Sequence, residues 1–169
     1  VDSVNKNQPR LGVDFGRVIH GAAAADGLQD TVFLDGSFEE ALASPATDGA
    51  FDVLPRLVDA FGGRVWVISK CGPRIQERTL AWLDHHDFYA RTGVPRGNVR
   101  FCRKREEKQG HCVKLGITHM VDDRVDVHRA LLETVPCRYL FGRQKGPAPE
   151  WVRHTLTWAD LEDAVIGDL

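Results

Sequence analysis

Arg64-Val65-Trp66-Val67-Ile68-Ser69 follows a Gly62-Gly63 pair and stops at Lys70-Cys71-Gly72. β-Branched and aromatic residues fill the run and glycines punctuate both sides, the pattern of a buried strand. Its apolar character is continuous rather than alternating, as in a parallel strand covered on both faces. Leu11 to Phe15 reads the same way, with Asp14 near its end. Asn98 to Cys102, Thr118 to Asp122 and Cys137 to Phe141 give three further strands. Helical patterns separate them. Phe51, Leu54, Leu57, Val58 and Phe61 share one helical face, and Pro55 places that helix's start shortly before it. Ile75, Thr79, Trp82 and Leu83 mark a second helix opening after Pro73. Glu106 to Leu115 and Val125 to Leu132 supply two more, and Thr157-Trp158-Ala159-Asp160 opens a last one as a capping box. This alternation predicts an α/β fold, a three-layer α/β/α sandwich around a mostly parallel Rossmann-like sheet. Ligands are then expected at the carboxyl ends of the strands.

The chain has 169 residues, 43% hydrophobic and 27% charged. That suits a single domain over 1–169 with a sizeable core, and excludes disordered and collagen-like classes. His20 to Asp48 is weakly patterned, with four alanines at Ala22 to Ala25, and is expected to form a small flap or minimal cap within about 20–48. Lys and Arg total 22 against 24 Asp and Glu, a formal net charge of -2 with no global pull toward nucleic acid or anionic membrane. The basic run Arg100-Phe101-Cys102-Arg103-Lys104-Arg105 suits contact with a phosphorylated ligand or nucleic acid, and reads first as a solvated strand end. No apolar run approaches the roughly 18 to 20 residues of a bilayer span, and Val1 to Arg10 lacks a signal-peptide plan. A cytoplasmic location is the expectation. Cys71, Cys102, Cys112 and Cys137 form no CxxC pair and are expected to be reduced. A zinc site from Cys102, His111, Cys112 and His119 does not match usual ligand spacing.

Three strands end in polar groups: Asp14 on the first, Ser69 on the second, and Asp122-Asp123 after Thr118 to Val121. If the strands are adjacent and parallel, these groups converge on one crevice. Carboxylates brought that close repel one another unless a cation shares them, and magnesium suits an all-oxygen site with room for phosphate. Taken singly, each Asp also suits a helix cap or a turn.

Leu11-Gly12-Val13-Asp14-Phe15-Gly16-Arg17-Val18-Ile19, then Val65 to Ser69, then Lys108, then His119-Met120-Val121-Asp122-Asp123 resembles in order the four motifs of the haloacid dehalogenase-like superfamily. The resemblance spans about Leu11 to Phe141. It implies a magnesium-dependent phosphatase acting on a small phosphorylated molecule. Asp14 would be the nucleophile that forms an aspartyl-phosphate, and Ser69 would hold the transferring phosphoryl group. Lys108 would neutralise nucleophile and phosphate, with Lys104 competing for that role. Asp14, the Gly16 carbonyl, Asp122 and Asp123 would bind Mg2+. Arg17 and Lys70 join Ser69 as candidate substrate contacts.

One position departs from the pattern. The family's phosphatases carry a second aspartate two residues after the nucleophile, where it protonates the leaving group, and here that position is Gly16. Three expectations follow: a substrate with a good leaving group or another acid such as His20 or Asp26; carbon-phosphorus or carbon-halogen hydrolysis; or a ligand-binding or interaction domain without turnover.

Overall fold

The computed structural model describes residues 8–21 and 28–169. Its six strands are β1 (Leu11–Val13), β2 (Val65–Lys70), β3 (Val99–Cys102), β4 (His119–Asp122), β5 (Cys137–Phe141) and β6 (Arg153–Thr155). They form one sheet in the order β3-β2-β1-β4-β5-β6, and every pairing is parallel. The expected α/β class with a parallel Rossmann-like sheet is therefore what the chain adopts. Alternation along each strand sorts side chains to two faces. Leu11, Val13, Val65, Val67, Val121, Tyr139 and Phe141 join the larger core, whereas Trp66, Ile68 and Met120 face the smaller one. Gly12 lies on that second face, where a Cβ would meet Met120 Sδ at 2.7 Å, so glycine lets the side chains of β2 and β4 close over β1.

The helices are α1 (Leu28–Asp35), α2 (Phe38–Ala43), α3 (Ala50–Ala60), α4 (Pro73–His85), α5 (Phe88–Thr92), α6 (Arg105–Leu115), α7 (Val125–Ala130) and α8 (Trp158–Gly167). Residues of α3, α4, α5 and α8 fill the larger core, and Cys112 of α6, Val127 of α7 and Leu131, which caps α7, fill the smaller. The handedness of parallel crossovers explains this division. The chain walks outward from β1 to β3 with its helices on one face, then reverses to β4, and the helices change face with the direction. The reversal between β1 and β4 opens the crevice at which ligands of such sheets bind.

Several local expectations are corrected. The first strand ends at Val13 rather than Phe15. Pro55 lies well inside α3, which begins at Ala50, so the helix forgoes one backbone bond where its apolar face is already packed. The opening of α8 is half a capping box: Thr157 accepts the Asp160 N–H, but Asp160 Oδ2 accepts from Leu156 N. The flap region carries α1 and α2, the latter with a complete capping box between Ser37 and Glu40. Ala22 to Ala25 lie outside the described residues. No helix among the described residues is long and apolar enough to cross a membrane.

Candidate active site

Asp14 is the first residue past β1, and its backbone N–H still donates to Val121 O of β4 at 3.0 Å. Its carboxylate therefore stands at the point where the strand order reverses. The chain then turns sharply: the Phe15 carbonyl accepts from the N–H groups of Val18, Ile19 and His20, and Arg17 takes a left-handed conformation with φ 60°. Gly16 avoids that conformation, and a Cβ built on it meets nothing within 4 Å.

Lys108 lies in the first turns of α6 and points back under the sheet's carboxyl edge, its side chain only 3% exposed. Its Nζ donates to Asp14 Oδ1 at 3.2 Å and to Asp122 Oδ2 at 2.7 Å. Lys104, the competing lysine, is exposed at the cap of the same helix. Asp122 is fully buried and does not line the crevice. Its Oδ1 accepts the Arg124 N–H at 3.0 Å, and its backbone oxygen lies 3.0 Å from His128 Nε2. Asp123 does line the crevice. Asp14, Asp122 and Asp123 each offer an oxygen within 4.8 Å of the others, the one such acidic or metal-ligating group among the described residues.

One ammonium for three carboxylates leaves negative charge uncompensated, and burial amplifies its cost. Burial, then the Asp122 charge, raise the Asp14 carboxyl from 3.8 to about 6, with Lys108 pulling the other way. Burial, then the charges of Asp14 and Asp122, raise Asp123 to about 8. Burial alone would lower the Lys108 ammonium, but Asp122 and Asp14 outweigh it and hold it above its ordinary value. The residues present thus fit a divalent cation: three oxygen donors of one sign, close together and short of positive charge.

The crevice beside this cluster encloses about 700 Å3. Asp14, Gly16, Arg17, Ser69, Lys70, Lys108 and Asp123 all line it, so the strand-end groups singled out in the sequence are brought together except Asp122, which sits behind. Ser69 is buried at the end of β2, and Lys70 beside it is exposed. The crevice also has apolar lining, with Phe15, Phe33, Leu34 and Ile75. Burial pushes the neighbouring Cys71 thiol up to about 11, so it stays protonated at neutral pH.

His20 is buried with its Nε2 2.7 Å from Ser44 Oγ and its ring packed on Phe15 and Phe33. Asp26 lies outside the described residues. Arg105 at the start of α6, the last residue of the basic run, also lines the crevice, as do two charged residues the sequence did not single out, Asp35 at the end of α1 and Arg124 after the carboxylate pair. Only the adjacency of Arg124 to Asp123 hinted at it. The rejected zinc set is dispersed, since Cys112 belongs to the smaller core while His119 packs on Phe61 and Tyr139 across the sheet. His86 is also structural, its Nε2 2.8 Å from Leu42 O. No protein-family model matches the chain, and no curated protein is significantly similar to it in sequence.

Proposed function

We propose that the chain is a magnesium-dependent hydrolase resembling the haloacid dehalogenase-like superfamily, a phosphatase that acts on a small phosphorylated substrate through Asp14. One observation carries this reading: a carboxylate at the sheet's switch point shares a buried lysine with a second carboxylate and stands beside a third. A structural salt bridge needs one acid for one lysine. Three clustered acids with one ammonium, two of them lining a large crevice, suit a site completed by a cation and an anionic substrate. Magnesium held by Asp14 and Asp123 would offset the repulsion between the carboxylate and the phosphoryl oxygens.

The chain's own residues supply the rest. A carboxylate oxygen of Asp14 attacks phosphorus, the ester P–O bond breaks, and its electron pair leaves with the alcohol oxygen. Lys108 keeps Asp14 ionised and faces the charge gathering on the phosphoryl oxygens. The Ser69 hydroxyl donates to one of those oxygens. Water then cleaves the aspartyl-phosphate, releasing phosphate and restoring Asp14. No side chain at Gly16 protonates the leaving group, so substrates whose alcohol departs as an anion are favoured.

The test is turnover of a panel of aryl and alkyl phosphates, phosphonates and haloacids by the purified protein with magnesium. Hydrolysis of aryl phosphates that is lost in Asp14→Asn and on chelation, together with beryllium trifluoride binding to the parent but not to that variant, is the expected result. Gly16 favours a second reading, a ligand-binding domain without turnover. Magnesium binding with no hydrolysis of any panel member would establish it and end the phosphatase reading.

A further inference from the structure

Arg105 and Arg124 line the same crevice as Asp14, and a single carboxylate fastens both. Asp126, in the first turn of α7, divides its oxygens between them. Oδ2 accepts from Arg105 Nη1, and Oδ1 accepts from Arg124 Nε at 3.4 Å. Arg105 opens α6 and Arg124 caps α7, so two helices from the same face of the sheet deliver the pair. Arg124 is further fixed through its backbone N–H, which donates to the buried Asp122.

A surface ion pair needs one cation and one anion. Here two guanidiniums share one carboxylate, leaving a net positive charge on the crevice lining. Each guanidinium has five N–H donors and spends one on Asp126, and Arg105 Nε is buried without a partner. The free donors of two planar forks fastened to one carboxylate suit the oxygens of a second carboxylate or a phosphate, which such forks bind through paired hydrogen bonds. Neither arginine touches the acidic cluster with its side chain, so this charge is not consumed in holding Asp14, Asp122 or Asp123. A crevice of about 700 Å3 also exceeds what one phosphoryl group fills.

We propose that Arg105 and Arg124, held by Asp126, form a second anion subsite, and that the substrate is a phosphate monoester whose organic part carries a further anionic group. This rests on the reading of the acidic cluster as the phosphoryl site. The subsite binds the distal anion and fixes which end of the substrate meets Asp14. It also gives a role to two cationic lining residues, Arg105 and Arg124, beyond the lysine that serves the carboxylates.

The test is calorimetry on the magnesium-loaded protein with non-hydrolysable phosphonates. A series of ω-phosphonocarboxylates of graded chain length is titrated beside alkylphosphonates of the same lengths, which covers the unknown span between the two subsites. At the matching length the carboxylate-bearing ligand should bind at least about tenfold tighter, equivalent to about 1.4 kcal/mol. The double substitution Arg105→Met, Arg124→Met should reduce that ratio below about threefold. If the parent binds both series equally at every length, or the double variant keeps the full ratio, the pair is only a clasp between α6 and α7 and the proposal is overturned. If neither series binds, the phosphoryl-site reading itself has failed and the subsite falls with it.

Discussion

Asp14 and Asp123 both titrate above the ordinary carboxylate value, and for the same physical reason: burial among like charges. A carboxyl whose folded-state value is raised holds its proton more tightly in the folded protein, so ionising it opposes folding. Its contribution to stability is full below about pH 4, and is lost as pH rises through about 6 for Asp14 and about 8 for Asp123. Chelated protein should therefore lose thermal stability progressively across that window, and added magnesium should restore most of it at the alkaline end. A melting temperature indifferent to magnesium at about pH 8 would remove the cation from this cluster. Gly16 gives a second test at this scale. The open space around it means that Gly16→Asp introduces an acid without steric cost. Replacing a missing general acid is worth up to about 10² to 10⁴ in rate, so the variant should hydrolyse alkyl phosphates faster while aryl phosphates change little. Steady-state kinetics on matched esters reads that gap directly.

At the scale of elements, α4 and the residue that caps it bind the segment carrying α1 and α2 to the body. Arg74, Arg78, Trp82 and His86 recur at four-residue spacing, hence on one face of the helix. Arg74 donates to Leu34 O, Arg78 to Phe33 O and Trp82 to Ser44 O, and His86 Nε2 pairs with Leu42 O. Each partner is a backbone carbonyl of the segment carrying α1 and α2, so this row holds the crevice's apolar lining in place. Arg78 is buried, and Arg78→Met leaves the Phe33 carbonyl without its donor while retaining most of the side chain's bulk. The expected cost is about 1–3 kcal/mol, read by urea denaturation, with faster hydrogen exchange confined to α1 and α2. A uniform rise in exchange across the sheet would show instead that α4 supports the whole fold. Of these four Trp82 stood out in the sequence, as part of an apolar helix face, and Arg74 and Arg78 did not, because carbonyl partners leave no side-chain signature.

For the whole molecule, Trp158 connects the last helix to the first turn of the site. Fully buried at the start of α8, it packs on Phe141, and its Nε1 donates to Val18 O within the turn that follows Asp14. Trp158→Ala should cost about 3–5 kcal/mol in urea denaturation. Trp158→Phe, which keeps most of the ring but drops the donor, should cost about 1–2 kcal/mol and lower turnover by loosening that turn. Equal turnover in the parent and the phenylalanine variant would show that the turn is held without this bond.

The sequence by itself determined the five apolar strands, five of the helices between and after them, and the order of polar groups at strand ends. These signals are local, since continuous burial writes continuous apolarity and helical burial writes a repeat of three and four. Tertiary structure alone decided β6 and the division of labour in the site. Arg153-His154-Thr155 has no apolar run, and becomes a strand because β5 offers it a parallel edge. Lys108 rather than Lys104 reaches the carboxylates because the helix turns one inward and leaves the other at its cap. Asp123 rather than Asp122 faces the crevice because alternation at the end of β4 points the two opposite ways. Arg105 and Arg124 meet over Asp126 only because α6 and α7 pack side by side on one face of the sheet. Lys108 and Asp14 lie 94 residues apart in the chain and Arg105 and Asp126 21 apart, so the packing of the sheet and its helices chooses these partners rather than any local pattern.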